Sequence, residues 1–183
     1  MRIISGTVRG RKLKEPANYD IRPTTDKVKE SMFNIIQFEL EDARVLDMFA
    51  GTAQLGLEAL SRGAREAVFI DAAPQSLKII SENIKACGFE KVSRVIKGDS
   101  IAACTTAGKF DIIFIDPPYD TDLLKRAVEK IIEFDILKKN GIILCETRVE
   151  YALPAVNEPY FLKKEYKYGK IKLAVYTKKD DAE

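Results

Sequence analysis

The amino-acid sequence predicts an α/β chain folded as a three-layer sandwich, with helices on both faces of a mostly parallel sheet. Three observations carry that expectation. From Arg44 onward, short apolar runs alternate with segments of helical period. The stretch Phe110–Ile115 is an Ile/Phe run of the kind found in central parallel strands covered on both faces. The chain then closes with two β-like stretches joined at Gly169, which reads as an antiparallel hairpin.

Each element has its own signal. Two short β-like pieces, 2–5 and 10–14, flank the glycines at 6 and 10 and can pair as a small N-terminal hairpin. After Pro23, Thr24 or Thr25 can cap a helix whose apolar residues Val28, Met32, Phe33, Ile35 and Ile36 follow helical spacing. Residues 45–49 read as a buried strand, 54–62 as a helix closed by Gly63, and 67–71 as a second strand. A helix over Pro74–Cys87 opens with proline and stops at Gly88, as capping preferences require. Ser93–Lys97 is a third strand, followed by a short helix from Ser100. Phe110–Ile115, a helix over 121–134, a strand over 141–146, and the hairpin of Tyr160–Tyr168 with 170–177 complete the pattern. No repeat or linker divides the 183 residues, so one domain is expected, with 1–22 as a basic extension and 23–183 as the core.

Composition narrows the chemistry. No apolar run approaches the ~20 residues of a membrane span, and no signal-peptide pattern opens the chain; a soluble cytoplasmic protein is expected. The three cysteines lie far apart with no Cys-x-x-Cys pair, so neither a disulfide framework nor a metal site is expected. There is no histidine, which removes His-based triads and the usual general base near neutral pH. Net charge is only +2, but it is unevenly spread. Arg2, Arg9, Arg11, Lys12 and Lys14 face no acid within residues 1–14, and residues 163–179 hold seven lysines against Glu165. Two basic ends around a balanced middle resemble a footprint for a polyanion, although such stretches are often only solvated surface.

Two constellations carry function. The first is 45–56, Val-Leu-Asp-Met-Phe-Ala-Gly-Thr-Ala-Gln-Leu-Gly, a glycine loop between a strand and its helix. Ligands of open α/β sheets collect at such strand ends. Asp71 ends the second strand, where an acid can accept hydrogen bonds from ribose hydroxyls. A dinucleotide site would need G-x-G-x-x-G beside a pyrophosphate, but Ala53 replaces the middle glycine and Asp47 ends the first strand. A carboxylate repels pyrophosphate and attracts the ammonium and sulfonium of S-adenosylmethionine. Asp99, after the third strand, can meet an adenine or simply cap the next helix.

The second constellation is Asp116-Pro117-Pro118-Tyr119, after the buried strand. Two prolines remove two backbone donors and leave rigid carbonyls. The Asp116 carboxylate and the Pro117 carbonyl can accept both hydrogens of one aromatic amine, whose delocalised lone pair is a poor nucleophile until it is reoriented. Tyr119 offers a face for stacking an extruded base, worth ~1–3 kcal/mol in single-strand binders.

With these residues, the chain resembles the RsmD-type 16S rRNA guanine-N2 methyltransferases over nearly its whole length. The resemblance runs through Arg2-Ile3-Ile4-Ser5-Gly6, Gly10-Arg11-Lys12-Leu13 and Arg22-Pro23-Thr24-Thr25 with the helix after it. It continues through Leu46-Asp47-Met48-Phe49-Ala50-Gly51, Leu57-Glu58-Ala59-Leu60-Ser61-Arg62-Gly63-Ala64, the Asp-Pro-Pro-Tyr motif and Tyr168-Gly169-Lys170. It implies a Rossmann-like class I fold with a seven-stranded sheet and S-adenosylmethionine as donor. It also implies 16S rRNA as partner, alone or in a small ribosomal subunit particle, and no metal; nothing in the sequence demands more than a monomer. Carried over, Asp47, Phe49, Gly51 and Gly56 would line the methionine side of the cofactor. Asp71 would meet its ribose, Asp99 and Ser100 its adenine, and Ala50, Thr52 and Ala72 would also border the cofactor. Asp116, Pro117, Pro118 and Tyr119 would hold the target base, and Arg9, Arg11, Lys12, Arg22 and Thr24 would meet RNA. The family usually has Gly-Ser-Gly where Gly51-Thr52-Ala53 stands, so a positive φ at Ala53 would cost roughly 1 kcal/mol. It often has Glu where Asp71 stands. The alternatives are N6-adenine methylation of DNA or RNA, a non-catalytic cofactor- or RNA-binding module, and, least compatible with Asp47, an NAD oxidoreductase.

Overall fold

The computed structural model describes residues 1–16, 26–119 and 121–179. Helix α1 (Asp26–Ile35) precedes β1 (Arg44–Asp47), α2 (Gln54–Ser61), β2 (Glu66–Asp71), α3 (Pro74–Cys87) and β3 (Ser93–Lys97). There follow α4 (Ser100–Cys104), β4 (Phe110–Ile115), α5 (Leu123–Glu133), β5 (Leu137–Arg148), β6 (Tyr160–Tyr168) and β7 (Ile171–Lys178). Thr24 and Thr25, the expected caps of α1, lie outside the described residues. The sheet has seven strands in the order β3-β2-β1-β4-β5-β7-β6. β1 to β5 are parallel, and β7 pairs antiparallel with both β5 and β6.

Alternate residues of each buried strand feed two cores, which is why these strands read as continuous apolar runs. Val45, Phe69, Ile112, Phe114 and Leu144 pack with α1, α2 and α3 on one face. Leu46, Val68, Ile113, Ile115 and Cys145 pack with α4 and α5 on the other. All three cysteines are buried and free. Among the described residues no helix is long and apolar enough to cross a membrane, and no group of three or more metal-ligating side chains occurs.

Most bounds shift by only one or two residues from the sequence expectation, and two elements differ by more. β5 begins at Leu137, four residues early, because Leu137 pairs with Phe110 before the register slips to Ile112↔Ile142. The polar Lys138-Lys139-Asn140 in between hides that pairing from any periodicity. The N-terminal hairpin is a single antiparallel bridge, Arg2↔Lys12, rather than two full strands. The Ile3, Gly10 and Leu13 amides bond across the hairpin, and amides between them turn to α2. Ile4 and Ser5 N–H donate to the two oxygens of Glu58 at 2.7 and 2.9 Å, and Thr7 N–H donates to the Ser61 carbonyl at 2.7 Å. At Gly6 the two backbones meet so closely that a Cβ would lie 1.7 Å from Ser61 O, leaving room for no other residue.

Candidate active site

A cavity of about 490 Å³ opens at the C-terminal ends of the parallel strands, where such sheets bind ligands. Each of the five parallel strands delivers one carboxylate to it. Asp47 ends β1, Asp71 ends β2, Asp99 follows β3, Asp116 follows β4, and Glu146 lies near the end of β5. Among the described residues, no lysine or arginine lines it. Phe49, Leu55, Pro117, Pro118 and Leu123 supply apolar walls. Ala50, Gly51, Thr52, Ala72 and Ser100 also line the cavity, so every expected cofactor-side and base-side position except Gly56 borders it.

Asp47 is 2% exposed and accepts the Gly56 N–H at 3.0 Å. Burial pushes its carboxyl up to about 7; the Gly56 amide opposes that rise and the charge of Asp71 adds to it. Gly56 itself does not line the cavity. It serves through this amide and through its missing side chain, since a Cβ there would come within 2.3 Å of the Phe69 ring. The glycine loop is held from β2: Asp71 accepts the Gly51 N–H on one oxygen and the Ala73 N–H on the other, both at 2.9 Å. Ala53 takes the left-handed conformation, φ 66° and ψ 16°, the strained geometry its place in the loop implied. Gln54 Oε1 beside it is buried and, among the described residues, without a hydrogen-bond partner. Asp99 caps α4 by accepting the Ala102 N–H at 2.9 Å, so the plain capping role is present alongside its place in the lining.

At the opposite wall, the Tyr119 hydroxyl donates to Glu146 Oε1 at 2.7 Å. Burial, then the charge and hydrogen bond of Glu146, raise the Tyr119 hydroxyl far above its ordinary range. The Arg148 guanidinium lies 5.4 Å from the centre of the Tyr119 ring. Glu146 escaped the sequence analysis, although the signal was there: an acid at the end of an apolar parallel strand, as at Asp47 and Asp71.

The expected RNA contacts separate. Arg9, Arg11 and Lys12 are exposed and grouped beside Ala86, near the C-terminal end of α3. Ser76 at the start of α3 lines the cavity, so the group sits about 15 Å away along that helix. Arg22 and Thr24 lie outside the described residues. A second basic group stands closer to the mouth. Arg148 pairs in register with Ile171, and the Lys170 carbonyl accepts the Val149 N–H at 3.1 Å, which places the exposed β6–β7 turn at the cavity edge of the sheet.

Parallel strands in this order, a reversed seventh strand and an acid-lined cavity at the strand ends make this a class I methyltransferase fold. The solved structure of Escherichia coli yhhF superposes with a TM-score of 0.88 at 33% identity, covering 98% of each chain. Haemophilus influenzae HI0767 gives 0.82 at 30%, again over 98% of each. Residues 1–177 match the family described as Conserved hypothetical protein 95. The chain is 38% identical to YlbH of Bacillus subtilis (strain 168), over 98% of this chain and 100% of that one. It is 35% identical to the ribosomal RNA small subunit methyltransferase D of Escherichia coli (strain K12), over 100% of this chain and 92% of that one. The chain belongs to this family, the RsmD family.

Proposed function

We propose that this protein transfers a methyl group from S-adenosylmethionine to the exocyclic N2 amine of a guanine in small-subunit ribosomal RNA, with residues 1–183 acting as one methyltransferase domain. The observation that carries the reading is the lining: five carboxylates, one from each parallel strand, and no basic side chain among the described residues. Such a lining repels a pyrophosphate and suits a cationic nucleoside. The residues present fit that group. Buried Asp47, held protonated up to about pH 7 by desolvation, gains a partner from an ammonium, and the orphaned Gln54 Oε1 gains a donor. Asp71 and Asp99 retain acceptor capacity beyond the backbone bonds they make.

Bound S-adenosylmethionine supplies an electrophilic methyl group on sulfur. The chain's own residues prepare the nucleophile. Asp116 and the Pro117 carbonyl accept the two hydrogens of the amine, draw its nitrogen toward tetrahedral geometry and stabilise the positive charge that develops there. Tyr119, tied to Glu146, offers its ring to the base. The relative named for small-subunit ribosomal RNA supports that substrate class, and the basic β6–β7 turn beside the mouth suits a phosphate backbone.

The test is to incubate small-subunit rRNA, naked and in assembled particles, and in parallel DNA, with methyl-labelled S-adenosylmethionine, and to separate the nucleosides. Label in N2-methylguanosine is expected. Label in N6-methyladenosine, or in DNA only, would replace this reading with the adenine alternative.

A further inference from the structure

The guanine reading leaves open how a pocket with an Asp-Pro-Pro-Tyr motif tells guanine from adenine, since both present an exocyclic amine. Ile115↔Cys145 is the last registered pair of β4 and β5, so Asp116 and Glu146 are the next residues on adjacent strands, which run about 4.8 Å apart. Both line the cavity. Glu146 is 2% exposed, and its carboxyl is oriented by the Tyr119 hydroxyl at 2.7 Å. Burying a carboxyl is costly unless it serves donors, and a carboxylate with two oxygens can serve several donors at once.

The two bases differ at the atom beside the amine. Guanine carries a donor, N1–H, next to its N2 amine, so its edge presents a contiguous row of donors. Adenine carries a bare acceptor, N1, next to N6. An acceptor placed beside Asp116 attracts the first edge and repels the second.

We infer that Glu146 is the base-selecting residue of this site, accepting the N1–H of guanine while Asp116 holds the neighbouring amine. The inference rests on the guanine-N2 reading and adds to it a cause for the choice of base. A site built to bind a substrate N–H discriminates strongly against an analogue that lacks it, because the buried acceptor is left facing a lone pair.

2-Aminopurine separates the two claims, because it keeps the N2 amine and has an unprotonated N1. Target RNA would be made with guanine or 2-aminopurine at the modified position, and kcat/KM measured for the wild type, Glu146→Gln and Tyr119→Phe, with S-adenosylmethionine affinity as the check on folding. The wild type should prefer guanine by at least about 100-fold. Glu146→Gln can turn its amide N–H toward N1 and still accept from Tyr119, so the preference should shrink at least about tenfold. Tyr119→Phe should slow both substrates and leave the ratio near its wild-type value. If Glu146→Gln slows both equally with the ratio unchanged, Glu146 is only a tether for Tyr119 and the inference fails while guanine-N2 methylation stands. If the wild type places no methyl group on N2 of either base, the reading beneath it fails as well.

Discussion

Asp47 and Glu58 sit in the same strand–loop–helix segment, and both are buried carboxyls, yet they live in opposite environments. Glu58 is 0% exposed and over-supplied with donors: the Ile4 and Ser5 amides, the Arg62 guanidinium at 2.8 Å, and the Lys29 ammonium at 3.6 Å. Lys29 in turn donates to the Arg2 carbonyl at 2.6 Å, and burial lowers its pKa against the pull of Glu58. Together they fasten the N-terminal segment to α1 and α2. Asp47 has one backbone amide and a cavity in front of it, and burial raises it to about 7. A buried acid whose partners are all internal holds the fold together. One left short of partners beside a cavity is held ready for a ligand.

That contrast can be broken most forcefully at the clamp. Glu58→Ala removes one side of a buried charge cluster and should lower unfolding free energy by about 3–5 kcal/mol, read by urea denaturation. A loss below about 1 kcal/mol would mean that the N-terminal segment is held by something else.

At Asp47 the expected signature is pH dependence. Its folded pKa lies above the ordinary 3.8, so the folded state holds a proton the unfolded chain has released. Its contribution to stability therefore falls as pH rises from about 4 to about 7, and Asp47→Asn should remove that slope. A cation favours the ionised form. S-adenosylmethionine affinity should accordingly rise by up to about tenfold per pH unit below about 7, level off above about 8, and be flat in Asp47→Asn. Calorimetry in buffers of different ionisation enthalpy should show close to one proton released per cofactor bound near pH 6. An equal profile in wild type and variant would remove Asp47 from cofactor binding.

The two basic ends sharpen the contrast further. Lys170→Glu, at the cavity edge, should weaken RNA binding by about tenfold and flatten its salt dependence, whereas Arg9→Glu, some 15 Å along α3, should cost only about twofold. The reverse order would place the RNA path across the N-terminal segment. The smallest effect belongs to the glycine loop. Ala53→Gly relieves a left-handed alanine and should stabilise the fold by about 1 kcal/mol in thermal or urea denaturation.

Much of this was legible in the sequence, for identifiable reasons. Pro74–Cys87, Ser93–Lys97 and Phe110–Ile115 were bounded correctly because proline, glycine and β-branched runs act locally. Asp47, Asp71, Asp99 and Asp116 announced themselves as acids at strand ends, and the structure gathers them around one cavity. What could not be read depended on partners distant in sequence. Lys29 and Glu58 look like ordinary helix charges until Arg2, Ile4 and Ser5 are brought to them. The early start of β5 depends on Phe110. Arg9, Arg11 and Lys12 are expected RNA contacts in the sequence and Lys170 is not, because neither a charge count nor a motif carries direction relative to the sheet.

The central claim is that Asp116 prepares an amine at the mouth of a cofactor cavity without holding the cofactor itself. Single-turnover methylation of small-subunit rRNA by Asp116→Ala, measured beside its S-adenosylmethionine affinity, tests this most directly. The rate should fall at least about 100-fold with cofactor affinity within about twofold of wild type. A variant that methylates at the wild-type rate, or one whose slow turnover is fully explained by lost cofactor binding, would contradict the account.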